Sequence, residues 1–378
     1  MFRVVLFLLL VDVEAFQAPE PKLSAGLPKE TSWKELLEQG QRLRAQGKYA
    51  DAERAYQAAL AALNHMGETG APLATTLNNL GVLRHSQARY PEAEAYYRGA
   101  MTILRKPSGK DETALAGVLE NYGQLDQARG RFLDAERRFE EALTIRVRLL
   151  GAVHPETVGT QLALANLWVE SGKKADAERT LHDLLSREEK AHGPGGTGSV
   201  PILKGLGSFY RQQGKNVFAK PYYARALAIQ EKHFGPFDPS LPNTLNALGA
   251  VHYGLRAYEE AGACFRRALE IQKKVRGIES PEVATTLHNL AEVDRAQERY
   301  DEAGRLFQEA IGIWEKTLGP EDLTLTQGLG KYAAVLRRTG HTEEAKQLER
   351  RARLIVQKHS AKREVQQGWK TSGLCCIQ

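Results

Sequence analysis

The sequence predicts an all-α helical-repeat solenoid of about eight helix pairs, and two observations carry that expectation. The stretch TTLNNLGVLRHSQARYPEAEAYYRGA, Thr75 to Ala100, returns as TTLHNLAEVDRAQERYDEAGRLFQEA, Thr285 to Ala310, with 11 of 26 paired positions identical. Aligned on the alanine of the phrase YPEA, copies fall at Ala52, Ala93, Ala135, Ala177, Ala219, Ala261, Ala303 and Ala345, spaced 41 residues once and 42 thereafter. A fixed period of this length marks units that each bury an apolar face on the next. Dividing the 378 residues by a typical domain size is therefore no guide to domain count.

In chain order, the first element is the apolar run Val4 to Val11, which follows Arg3 and stops at Asp12. It is too short for a membrane helix, which needs roughly 20 apolar residues. It suits the core of a secretory signal ending at Val13-Glu14-Ala15, although Asp12 and Glu14 fit poorly there. Residues 1–15 are expected as a signal peptide and 16–32 as a linker, with a secreted or periplasmic mature chain. The alternative, an apolar fragment of a first helix, leaves the chain cytoplasmic.

The repeats occupy residues 33–356. A small residue stands twelve positions before each reference alanine (Gly40, Gly81, Gly123, Ala165, Gly207, Gly249, Ala291, Ala333), and a large apolar one four after it (Tyr56, Tyr97, Phe139, Leu181, Tyr223, Phe265, Phe307). Seven after it another small residue returns, as in Ala59, Ala100, Ala142, Ala226, Ala268, Ala310 and Ala352. Offsets of three, four and seven belong to one face of a helix. Each unit thus reads as two helices whose small residues permit close approach while the aromatic fills the gap beside them.

Turn chemistry places the boundaries. Gly47, Gly130, Gly172, Gly214 and Gly340 precede the second helix and suit a left-handed helix end. Pro91 and Pro221 fit a first helical turn, which has no internal partner for its N–H groups. Between units, Gly109, Gly151, Gly193, Gly235, Gly277 and Gly319 stop one helix. Asp238 and Ser280, with His154 as a weaker case, are candidate caps for the next. Copies four, five and eight carry Lys174, Asn216 and Thr342 where other copies have Tyr or Phe, so looser interfaces are expected there.

Residues 357–378 form a basic tail. Between Lys346 and Lys370 eight basic residues face Glu349 and Glu364, which accounts for the whole net charge of +6. The polar run can cap the last repeat or attach to an anionic surface. The final CCIQ matches the prenylation pattern C-a-a-X, which is incompatible with export. Cys264, Cys375 and Cys376 have neither disulfide-framework nor metal-ligand spacing, and Cys264 reads as a small packed hydrophobe.

The small-residue, aromatic and alanine columns, with the phrases TLNNLG, YPEAEAYY and GxxHPE, resemble the tetratricopeptide repeat. The variety they resemble is the 42-residue one of kinesin light chains and many bacterial proteins. The resemblance covers about residues 33–356 and implies a right-handed superhelix. It also implies that first helices line a concave face holding an extended peptide or partner segment, without cofactor or metal. Mapped onto this chain, that face includes Asn78, Asn79, His85, Asn121, Gln124, Lys204, Arg211, Asn246, Tyr253, His288, Asn289, Arg295 and Arg337. Asn donates and accepts at once, as a peptide backbone requires. Arg adds a fork for carboxylates, so an acidic peptide is the expected ligand of this protein-binding scaffold.

The competing expectation is that the Asn column only caps or bridges neighbouring units. Homotypic assembly, or service as an accessory subunit regulating an enzyme encoded elsewhere, also remains open. An enzyme is not expected: the histidines form no HExxH or Cys/His pair. HGPGGTGS, His192 to Ser199, lacks the Gly-Lys-Ser/Thr of a phosphate loop and reads as a linker. No nucleic-acid partner and no transmembrane segment are expected.

Overall fold

The computed structural model describes residues 32–106 and 111–372. The expected signal peptide, most of the linker, Gly109, and Cys375 and Cys376 of the CCIQ end lie outside the described residues. Among the described residues sixteen helices form eight sequential pairs, and no strand occurs. The pairs are α1 (Trp33–Ala45) with α2 (Tyr49–His65), α3 (Ala71–Ser86) with α4 (Tyr90–Leu104), α5 (Glu112–Ala128) with α6 (Phe132–Leu150), and α7 (Pro155–Glu170) with α8 (Lys174–His192). They continue as α9 (Ser199–Gln212) with α10 (Asn216–Phe234), α11 (Leu241–Gly254) with α12 (Tyr258–Arg276), α13 (Pro281–Ala296) with α14 (Tyr300–Leu318), and α15 (Thr324–Arg338) with α16 (Thr342–Ser372). The chain divides into two compact units, one ending at Leu149 and one starting at Leu150.

Close approach within each pair rests on the small-residue column. A Cβ on Gly81 would sit 2.6 Å from Tyr97 Cε1, and one on Gly207 would sit 2.7 Å from Tyr223 Cε2. Every reference alanine is fully buried, and so are Tyr56, Tyr97, Phe139 and Phe307. Copy four departs consistently: Ala165 replaces the glycine where Leu181 replaces the ring, and buried Leu184 replaces the second alanine. There the smaller partner leaves room for the extra methyl, whereas in copy seven Ala291 packs with the fully buried Phe307 ring.

The turn inside each pair is left-handed in all copies with an unusual twist. Gly47, Gly130, Gly172, Gly214 and Gly340 have φ between +71° and +89°. Ala88, Arg256 and Glu298, which occupy the same column in copies two, six and seven, take φ of +57° to +62° without being glycine. The frame imposes the conformation: Arg89 N–H bonds Arg84 O at 2.9 Å and Arg299 N–H bonds Asp294 O at 2.9 Å, as Lys48 N–H bonds Leu43 O in a glycine copy. These bonds satisfy carbonyls that a helix end leaves unpaired.

Two expectations need correction. Pro221 is not in a first turn, since second helices start three residues before the reference alanine; it lies inside α10. The amide it lacks would have served the carbonyl of Val217, whose residue is exposed to water. Asp238 does not cap a helix: its Oδ1 accepts from Ser240 N–H at 2.8 Å, closing the turn before α11. Ser280 does cap α13, accepting from Val283 N–H at 3.2 Å, and His154 caps α7 through Nδ1.

At the C-terminal end, α16 runs without a break past residue 356 to Ser372. Lys358 pairs with Glu321, and a His359 ring nitrogen lies 2.9 Å from the Glu321 carbonyl, so the start of the basic run holds the preceding linker. Cys264 packs half-buried against the apolar cluster of copies four to six, and burial raises its thiol pKa. No helix among the described residues is long and apolar enough to cross a membrane.

Candidate functional site

First helices of successive copies touch one another within each unit: α1 with α3 and α3 with α5 in the first, α7, α9, α11, α13 and α15 in series in the second. First helices therefore form a row in each unit, and the side chains expected to meet a partner are described for each row separately.

In the first unit the asparagine column turns partly inward on itself. Asn121 Nδ2 donates to Asn78 Oδ1 at 3.0 Å, joining copies two and three. Asn79 is half-buried, and its Nδ2 is enclosed without a hydrogen-bond partner. His85 is half-buried edge-on to Tyr90, and burial lowers its pKa. Gln124 is exposed.

In the second unit Asn246 Nδ2 donates to Thr286 Oγ1 at 2.9 Å, again joining neighbouring copies. Thr286 gives its own hydrogen to Gln272 Oε1 at 2.8 Å or to the Glu282 carbonyl at 3.0 Å. His288, expected on the open face, is instead buried at 7% exposure against Phe307 and Trp314. An imidazole ring is flat enough to fill space beside two aromatic groups, so this residue belongs to the packing. Burial lowers its pKa, with Glu292 opposing and Lys331 reinforcing the shift.

Arg295 is committed internally. Its Nε and Nη2 reach Glu292 Oε1 and Oε2, each at 2.9 Å, and Nη2 reaches Tyr253 Oη at 3.4 Å. Lys331 Nζ adds a third hydrogen bond to Glu292 at 3.1 Å. Burial alone would raise the Glu292 carboxyl, but hydrogen bonds from Arg295 and Lys331, with their charges, carry it below the ordinary value. Arg337 bonds Glu349 at 2.8 Å. By contrast Arg211 is exposed and Lys204 half-buried, and neither meets an acid among the described residues. They stand seven residues apart on α9, hence on one face. Burial depresses the Lys204 pKa. Asn289 is half-buried.

Sequence reasoning missed a ladder of charge pairs between second helices. Twelve positions after one reference alanine and six after the next stand Arg105–Glu141 at 2.9 Å, Glu189–Arg225 at 2.5 Å, Glu231–Arg267, Lys273–Glu309 at 3.7 Å, and Glu315–Arg351 at 2.5 Å. In three rungs the arginine also bonds a linker carbonyl, that of Pro194, Pro236 or Pro320. Comparing these two columns across copies would have exposed the ladder, including the two rungs whose sign is reversed. Glu292, in the column of Gln124, and Lys331, in the column of Asn79, were also missed.

No cluster of three or more His, Cys, Asp or Glu side chains among the described residues could hold a metal ion. A family model described as tetratricopeptide repeat matches residues 36–106, 114–189, 199–274, 242–312 and 282–358. No curated protein gives a significant match. Among solved structures, the chain is similar to the apo form of the quorum sensor NprR from B. thuringiensis, at 17% identity over 86% of this chain and 87% of that one, with a TM-score of 0.60. It is similar to the Rap conjugation gene regulator of the plasmid pLS20 in complex with the Phr* peptide, at 17% identity over 76% and 75%, TM-score 0.52. Kinesin-light-chain-like repeats from Podosopora anserina match at 21% identity over 55% of this chain and 98% of that one, TM-score 0.46.

Proposed function

Since the chain belongs to the tetratricopeptide repeat family, we propose that it is a non-enzymatic protein-interaction scaffold whose second unit binds an extended acidic peptide along its row of first helices. The observation that carries this reading is the cationic stripe on α9. Lys204 and Arg211 share one face and meet no acid among the described residues, whereas Arg295 and Arg337 are already paired. An unpaired guanidinium offers a bidentate fork for a carboxylate. Tyr253, in the column of Arg211 one copy later, and Asn289 add polar groups for a peptide backbone. The solved relative bound to the Phr* peptide lends the reading support as a precedent for this fold with a peptide.

The test is fluorescence anisotropy with labelled ten-residue peptides of acidic, neutral and basic composition. The acidic peptide is expected to bind tightest and to weaken steeply with salt. Lys204→Ala with Arg211→Ala should remove that preference while leaving helicity unchanged. Equal affinity for all three peptides, or an unaltered acidic preference in the double variant, would refute the reading.

A further inference from the structure

The periodic frame lets one place be compared copy by copy. Eleven positions after the reference alanine, copies four to seven carry Glu188, Gln230, Gln272 and Trp314, all buried. Gln230 is satisfied by Ser240 and Thr244, with distances of 2.7–3.3 Å. Gln272 accepts from Thr286 at 2.8 Å. Trp314 packs beside Gly328 within an apolar cluster. Each of those three places is closed by residues of the copy that follows.

Glu188 is different. Ile202 stands where the threonines stand, and Gly198 stands where Ser240 does. The absence of a side chain at Gly198 makes room for this carboxylate: a Cβ there would lie 1.9 Å from Glu188 Oε1 and displace it. The carboxylate is 3% exposed, and Oε1 meets His192 Nδ1 at 2.9 Å. Glu188 and His192 line a cavity of about 670 Å³. Its apolar walls come from Val153, Pro155, Val158, Leu162 and Pro201. Two copies further on, the corresponding space shrinks to about 60 Å³, with Asn243 in the place of Gly159 and Glu282 in that of Gly198. The wall is held in shape: Arg225 bonds the Pro194 carbonyl at 2.5 Å, and a His233 ring nitrogen lies 2.9 Å from the Gly195 carbonyl.

A cavity of roughly 300–1,000 Å³ with apolar walls and a few polar groups is the usual form of a small-molecule site. A carboxylate offers about four acceptor positions, of which one imidazole uses one. A buried carboxylate beside open space is stabilised by further donors, and a donor that carries positive charge offsets the buried charge as well. We propose that the cavity bounded by α7, α8, the glycine linker and α9 binds an organic ammonium, an apolar body carrying one protonated amine whose hydrogens bond Glu188.

The amine can belong to a free molecule or to a lysine side chain of a partner, and the experiment separates the two. Isothermal titration of the full chain compares 4-phenylbutylammonium, the neutral 4-phenylbutan-1-ol, 4-phenylbutyrate and Nα-acetyl-lysine N-methylamide. An ammonium should bind at least about tenfold tighter than the alcohol, and the butyrate weakest, as expected for a charge-assisted hydrogen bond. Glu188→Gln, which installs the residue of the next two copies, should erase the advantage over the alcohol. Gly159→Asn should weaken both by filling the space. Should Glu188→Gln fail to fold, the comparison of amine with alcohol in the unaltered chain still decides. The tighter of the two amines identifies the source. Equal binding of amine and alcohol, undiminished amine binding in a folded Glu188→Gln, or no amine binding at millimolar concentration would overturn the proposal.

Discussion

Asn121 Nδ2 gives a hydrogen to Asn78 Oδ1 across 3.0 Å, so two residues marked in the sequence for a partner hold one another. They tie α3 to α5, the first helices of copies two and three. The bond supplies the bridging role of that column without excluding a ligand from the remaining acceptor and donor atoms.

Asn78→Ala should lower the stability of the first unit by about 0.5–1.5 kcal/mol, the usual net value of such a bond. Hydrogen exchange over residues 71–128 is the measurement. Unchanged protection would assign the pair to ligand binding alone.

Gly81→Ala should cost about 1–3 kcal/mol, because the new methyl would lie 2.6 Å from the fully buried Tyr97 ring, which must shift to admit it. Ala165→Gly, opposite Leu181, should cost only the backbone entropy of about 0.5–1 kcal/mol. Denaturant titration of each variant compares the two, and similar losses would contradict the close-approach account.

The left-handed turns predict an opposite outcome for glycine. Arg256→Gly and Glu298→Gly should each stabilise the second unit by about 0.5–1 kcal/mol, since the left-handed conformation costs a side-chain residue roughly 1–2 kcal/mol and glycine's greater unfolded freedom offsets part of the gain. Gly214→Ala should destabilise. Thermal unfolding would reveal either sign.

His288 makes stability depend on pH. Its folded pKa is lowered by burial, so the unfolded chain binds the extra proton more readily. The contribution is complete above the ordinary histidine value near 6.5 and is lost as pH falls from there through the lower folded value. His252, depressed first by burial and then by Lys220, acts in the same direction. In His288→Phe the loss of stability between about pH 7 and pH 5 should be smaller, as followed by urea titration at each pH.

Lys273→Glu should cost no more than about 0.5 kcal/mol, because the pair with Glu309 is well exposed, and Glu309→Arg in the same chain should recover it. A double-mutant cycle at low and high salt measures the coupling, which should fade as salt rises.

Much of the frame was legible because packing repeats: the small residue, the alanine and the aromatic must recur wherever one helix pair meets the next. The turn column was only half legible. Five glycines announced a left-handed residue, but Ala88, Arg256 and Glu298 carry it by force of their surroundings, which no local propensity encodes. The site was less legible because one column can face either a ligand or a neighbouring copy. His288 went to the core since Phe307 and Trp314 leave a ring-sized space, and Arg295 was claimed by Glu292. Pro221 misled because a proline near a helix start was assigned to the wrong turn. The cavity beside Glu188 was hidden in the one linker rich in glycine, where a missing side chain matters as much as any residue present.

The reversed rung Lys273–Glu309 sits between rungs of the opposite sign, Glu231–Arg267 and Glu315–Arg351. Copies that share a frame are open to loss by recombination between like segments, and charge sign makes the outcomes unequal. Excising copy five would bring Glu189 against Arg267, an attractive contact that closes the gap. Excising copy six would set Glu231 against Glu309, and excising copy seven would set Lys273 against Arg351, each a repulsion at the new joint. At each joint the difference is about 0.5 kcal/mol, the scale of an exposed pair, so charge sign tilts a shortened chain toward loss of its fifth segment rather than its sixth or seventh.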